Sequence, residues 1–263
     1  MTKPSDNRNI RAHKNLEDIG FPHRIINLIV LERVGACLEE MRNMNDIRPR
    51  ILDVGCGTGY LLKKMLDRDL DAWGVDPYPR GEAIQESLSK RVILGNIQEL
   101  PQRPFQIITA VEVLEHVEDY MKLLESMKEL LSPNGFIIIT VPNKWEFRPA
   151  YSPDGAIETM YGHLWQFDHK SLEADLKCFS KEVYVEQIYT RNIDRRLLKI
   201  TRVLPSVVVI KLSKILVTYR NDGAWLLGVM RGESSLPEEA KHQNLPRPAA
   251  NYYKNHPYFI REI

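Results

Sequence analysis

Only three cysteines, Cys37, Cys56 and Cys178, occur among the 263 residues. They share no paired spacing and form no metal knuckle, which argues against a disulfide framework and for a reduced, cytoplasmic setting. No apolar run reaches the roughly 20 residues that cross a bilayer. The opening MTKPSDNRNIRAHKN is polar and basic with no apolar stretch, so no secretory signal is expected. Excess charge is missing as well: 36 Lys and Arg face 35 Asp and Glu, a formal net charge of +1. That balance argues against a strong phosphate-binding surface, and nucleic acid is not an expected partner.

What the chain does have is Ile51–Leu62, ILDVGCGTGYLL. Ile51, Leu52 and Val54 predict a strand buried on both faces, as in a parallel sheet. Asp53 lies at its carboxyl end. Gly55, Gly57 and Gly59 then predict a tight turn, and Tyr60, Leu61 and Leu62 open a helix whose N-terminus can face a ligand. The G-C-G-T-G spacing is not the dinucleotide G-x-G-x-x-G. Next, AWGVDP predicts a strand, Ala72–Val75, that ends in Asp76, an acid able to accept both hydroxyls of a ribose. An NAD site would place an acid similarly, so Asp76 alone does not choose a cofactor.

Further strands are expected at Arg91–Leu94, Phe105–Val111 and Phe136–Thr140. A helix over Tyr120–Leu131 is expected to stop at Ser132-Pro133-Asn134-Gly135, with the glycine as its C-cap. Strands and helices alternating at these lengths imply right-handed crossovers and one doubly wound α/β sheet. The length suits one domain with decorations.

Residues 1–50 form an N-terminal extension with a helix, roughly Pro22–Met41; 51–190 are the nucleotide-binding core. Residues 191–222 are an apolar and basic helical insertion, 223–231 carry a last strand, and 232–263 are an extended tail rich in proline. The insertion reads either as an extra helical layer whose lysines are its wet face, or as a lid that meets a lipid-linked substrate or a bilayer.

Chemistry is expected in Val111–Val117, VEVLEHV. Glu112, Glu115 and His116 stand at i, i+3 and i+4, on one face if this is the first turn of a helix. Two carboxylates and an imidazole suit a divalent ion with open positions for a substrate. Equally, Glu115 and His116 could simply cap and brace a loop.

These motifs resemble the class I S-adenosylmethionine (SAM) methyltransferases over about Phe21–Ala174. The resemblance implies a Rossmann-like sheet of seven strands, the last antiparallel and paired with a sixth at Glu182–Tyr189. It also implies a SAM site made by Asp53, Gly55, Cys56, Gly57, Gly59, Tyr60, Asp76, Pro77 and Val111, with Asn96 and Ile97 at the adenine. E-x-x-E-H is similar to the polyprenyl-dihydroxybenzoate and demethylubiquinol O-methyltransferases and to the small-RNA 3′-end 2′-O-methyltransferases. In both groups those residues hold a divalent cation, which implies Mg²⁺ or Mn²⁺ on Glu112, Glu115 and His116. The RNA family adds a second histidine, and His163 in GHLWQFD stands at the matching place, as fourth ligand or general base; a hydrogen-bonded structural role is its alternative. The quinone family has an asparagine-proline-x-arginine whose arginine reaches the SAM carboxylate. Phe21-Pro22-His23-Arg24 keeps the proline and arginine, which implies Arg24 in that role. Trp165 and Phe167 are expected in the core or the pocket wall.

Three functions compete on this reading. One is an O-methyltransferase for a small or lipid-linked hydroxyl, with His116, Glu115 and His163 as the catalytic set. The second is a metal-dependent RNA 2′-O-methyltransferase, and the third a non-catalytic SAM-fold binding protein.

Overall fold

Residues Arg50–Val54 form the first strand, β1, because four successive side chains from Ile51 onward are buried. Side chains alternate across a strand, so Ile51 enters one apolar core and Leu52 the other. The computed structural model describes residues 21–42, 49–77, 86–100, 104–143, 150–151, 157–158, 163–189, 205–220 and 223–233. The expected tail beyond 233 and the insertion outside 205–220 lie outside the described residues.

Strands β2 (Asp71–Asp76), β3 (Val92–Leu94), β4 (Phe105–Val111), β5 (Leu131–Pro142), β6 (Val183–Ile188) and β7 (Trp225–Arg231) complete one sheet. Its order is β3-β2-β1-β4-β5-β7-β6. The strands β1 to β5 pair in parallel, and β7 runs antiparallel to both β5 and β6. The expected sheet is therefore the observed one. The order reverses between β1 and β4, where an open α/β sheet leaves a crevice at its carboxyl edge. A separate two-stranded ribbon joins Ala150–Tyr151 to Ile157–Glu158.

Helices cover both faces. On one side α1 (Phe21–Arg42), α2 (Tyr60–Leu66) and α6 (Ser206–Arg220) share a core with Ile107, Phe136 and Trp225. On the other, α4 (Tyr120–Leu130) and α5 (His169–Lys177) pack on Ile108, Ile139 and Leu226. A short helix, α3, spans Glu86–Ser89. Asp168 caps α5 by accepting from Ser171 N–H at 2.8 Å, while the Asp168 N–H donates back to the Ser171 hydroxyl at 2.9 Å.

Helix α1 carries charge into the core and pairs it there. Arg33 pairs with Glu186 of β6 and lies over the Tyr184 ring. Lys214 Nζ reaches Glu32 at 2.8 Å, tying α6 to α1, and Arg231 holds Glu40 at 2.9 Å. These ties fix the middle and end of α1 against the sheet and α6.

One turn differs from expectation. Helix α4 ends at Leu130 with Leu131 extended, and β5 begins there, paired with Phe105. Gly135 is not the cap: Asn134 takes the left-handed backbone at φ +60°, and a Cβ on Gly135 would meet the Gln106 carbonyl oxygen at 2.7 Å. The glycine is there so that β4 can approach closely. No described helix is long and apolar enough to cross a membrane.

Candidate active site

The glycine turn hangs from the end of β2. The Val75 carbonyl accepts from Gly55 N–H at 2.8 Å and from Cys56 N–H at 3.3 Å, and Asp76 Oδ2 accepts from Gly57 N–H at 2.8 Å. Asp76, expected as the ribose acceptor, is buried against the glycine turn. Gly55 sits at φ +66°, and a Cβ there would meet Val113 Cγ2 at 2.5 Å. The absent side chain is the space into which the VEVLEHV loop packs.

Gly59 begins α2 as its N-cap and Tyr60 is the first helical residue, half-buried beneath the Lys64 ammonium. The Cys56 sulfur lies over β2, 2.7 Å from where a Cβ on Gly74 would be, so its side chain packs on the sheet. Asp53 is buried and accepts from Thr109 Oγ1 at 2.8 Å. Burial pushes its carboxyl up to about 7, with the Thr109 hydrogen bond opposing and the Asp76 charge assisting. Thr109 is the strand neighbour of Asp53 in register, a partner that sequence reasoning missed.

Beside the turn lies a cavity of about 160 Å³, lined by Pro77, Asn96, Ile97, Val113 and Leu123 among others. Its walls are largely apolar, as suits an aromatic ring. Asn96 and Ile97, which the resemblance implied at the adenine, both line this cavity.

The loop after β4 is not the first turn of an α-helix. Val111 ends the strand beside Thr140, and Glu112 then takes a left-handed backbone at φ +57°. Leu114–His116 form a single 3-10 turn. The i, i+3, i+4 face is consequently broken at Glu112, whose Oε2 lies 2.9 Å from His23 Nδ1. Glu115 is 1% exposed, and neither carboxylate oxygen has a hydrogen-bond partner. Burial and the nearby charge of Glu112 hold its carboxyl well above the usual range.

His163 joins this turn from beyond β5. The Leu164 N–H donates to the Glu115 carbonyl at 2.6 Å, the Trp165 N–H to the same oxygen at 3.3 Å, and Trp165 Nε1 to the Val117 carbonyl at 2.9 Å. The stitch brings the His116 and His163 rings to a centroid distance of 4.7 Å, edge to face. Burial lowers the His163 imidazole below its ordinary value, the His116 ring adds to this, and the Glu112 charge opposes it. One ligand atom from each of Glu115, His116 and His163 lies within 4.8 Å of the others. That donor set suits Mg²⁺, Mn²⁺ or a borderline transition ion, and the unpartnered Glu115 oxygens fit the same purpose.

Of the expected residues, the structure brings Glu115, His116 and His163 together with Glu112 alongside. Arg24 stands half-buried on the first turn of α1, next to His23. Phe167 is buried as expected, but Trp165 stays 43% exposed beside Leu164 at 52%, since its indole is spent on the Val117 carbonyl and the Tyr120 ring.

A methyltransferase-domain family model matches residues 10–179. The chain belongs to the methyltransferase-domain family. A ubiquinone biosynthesis O-methyltransferase of Azorhizobium caulinodans is 33% identical over 103 residues, 36% of this chain and 41% of that protein. Its counterpart in Bradyrhizobium diazoefficiens is 29% identical over 123 residues, 43% of this chain and 49% of that one. The chain spans about half the length of the curated relatives it matches. Among solved structures, the plantazolicin methyltransferase BpumL in complex with SAH superposes with a TM-score of 0.56 at 15% identity, over 87% of this chain and 91% of that chain. That likeness is one of fold. The sheet of this methyltransferase-family chain is the class I one, with its glycine turn after β1 and Glu115 and His116 after β4.

Proposed function

We propose that the chain is a SAM-dependent O-methyltransferase whose acceptor is a hydroxyl of a small or lipid-linked molecule of quinone-precursor type. One observation carries the reading: on the loop that packs into the glycine turn, buried Glu115 and its neighbour His116 meet His163, with one ligand atom from each within 4.8 Å of the others. The relatives named for ubiquinone biosynthesis support the acceptor class.

In-line transfer breaks the sulfonium carbon–sulfur bond and forms a carbon–oxygen bond, while the hydroxyl proton leaves to a base. Asp76 would clasp the ribose, Asn96 and Ile97 the adenine, and Arg24 the carboxylate. His163, kept neutral by burial, is suited to take the proton. Glu115, His116 and His163, with Glu112, would hold a divalent cation, which supplies a lowered pKa for the acceptor hydroxyl. Residues 191–222 would contact a lipid-linked acceptor or the membrane surface.

His163 also favours a second reading, since RNA 2′-O-methyltransferases are the family whose motif it matches. Incubation with labelled methyl donor and separate catechol, prenylated catechol and short-RNA acceptors decides between them. Label on a catechol oxygen is the expected result; label on a terminal ribose would select the second reading, and label on neither would reject both.

A further inference from the structure

We propose that His23 is a positioning residue: its Nδ1 holds the carboxylate of Glu112 beside the Glu115–His116–His163 cluster, so that the N-terminal helix completes the site. The inference rests on the reading of that cluster as a cation site and concerns a residue outside it.

The imidazole is half exposed, and what locates it is the helix it stands on and one ring neighbour. Its residue lies in the first turn of α1, and its carbonyl accepts from Asn27 Nδ2 at 2.7 Å. Its ring meets the edge of Trp225 with centroids 6.2 Å apart, and Trp225 is buried on β7 against Tyr189. A histidine so fixed can dictate where a carboxylate sits, as an outer-shell partner does for a ligand.

Glu112 has the marks of a side chain being placed. Its backbone is left-handed, an arrangement that a non-glycine residue keeps only where its surroundings enforce it. Its N–H is tied to the Thr140 carbonyl of β5. One carboxylate oxygen is on His23 while the other, Oε1, is buried without a hydrogen-bond partner. With both Glu115 oxygens, that makes three buried carboxylate oxygens lacking donors on one loop. Such oxygens are costly unless a cation or donor meets them. Glu112 lies outside the trio whose ligand atoms fall within 4.8 Å of one another, and its charge acts on both Glu115 and His163 from beside it. An ordinary surface ion pair would show neither the strained backbone nor the orphaned oxygen.

The test uses Mn²⁺ alone as probe, titrated into the full chain with free Mn²⁺ read by electron paramagnetic resonance, and SAH affinity measured in parallel by calorimetry. His23→Leu should weaken Mn²⁺ binding about tenfold, while SAH affinity changes less than about threefold. His23→Asn, whose amide can donate from the Nδ1 position, should recover most of the loss. Mn²⁺ binding by His23→Leu equal to the parent chain would overturn the role of His23 and leave the cation reading standing. Parallel loss of Mn²⁺ and SAH binding in both variants would also overturn it, because the helix start would then merely have shifted. No Mn²⁺ binding by the parent chain would overturn the cation reading and this inference with it.

Discussion

Gly57 and Asp76 are joined by a 2.8 Å hydrogen bond from the glycine N–H to Oδ2, so the carboxylate at the end of β2 shapes the glycine turn. Asp76→Ala should lower SAM affinity about 10- to 150-fold, the range for losing a hydrogen bond to a charged group. Asp76→Asn keeps an acceptor for Gly57 and should fall between. Calorimetry checks this; an unchanged affinity in Asp76→Ala would remove Asp76 from the cofactor site.

Val113 fills the space above Gly55, and the backbone there is left-handed. Gly55→Ala should cost about 2 kcal/mol or more through strain and overlap. The melting temperature should drop accordingly, and adding Val113→Ala should return part of it. A Gly55→Ala protein that melts like the parent would mean the loop does not pack on the turn.

Asp53 titrates near 7, against an ordinary value of 3.8, chiefly because it is buried. Its raised value means that the folded protein keeps a proton which the unfolded chain releases. This contribution to stability is therefore complete below about pH 4 and is lost as pH rises toward 7. Thr109→Val removes the hydrogen bond that favours the charged form, so the Asp53 midpoint should move upward. Carbon-13 NMR of labelled aspartate reads it directly; a midpoint that stays or falls would contradict the Thr109 contact.

Glu115 is a buried carboxylate without donors, and its raised titration makes its charge increasingly costly as pH climbs. In chelator-treated protein at pH 8, Glu115→Gln should be more stable by about 1 kcal/mol while methyl transfer is lost. Stability gained together with activity lost is the signature of a side chain kept for chemistry. A less stable and fully active variant would assign Glu115 to structure.

Local patterns in the chain carried most of the fold. Ile51–Val54, Phe105–Val111 and Phe136–Thr140 are apolar runs whose burial needs no distant partner to be inferred, and the alternation of strands and helices fixes their pairing. The glycine turn and Asp76 were legible for the same reason. What escaped was non-local or depended on one dihedral angle. The left-handed Glu112 breaks the i, i+3, i+4 face, and its partner His23 lies on another element. Thr109 meets Asp53 only once the register of β1 and β4 is known. Trp165 looks like core by composition, yet its indole N–H is satisfied at the surface by a backbone carbonyl. The position of His163 beside His116 depends on hydrogen bonds between two loops that no spacing rule describes.

The most direct measurement is methyl transfer from labelled SAM to a catechol acceptor in excess EDTA, followed by Mg²⁺ or Mn²⁺ in excess of the chelator. Glu115, His116 and His163 acting around a cation require turnover to vanish with EDTA and to return with the metal. Full turnover in EDTA would contradict that, leaving the histidines as a metal-free base.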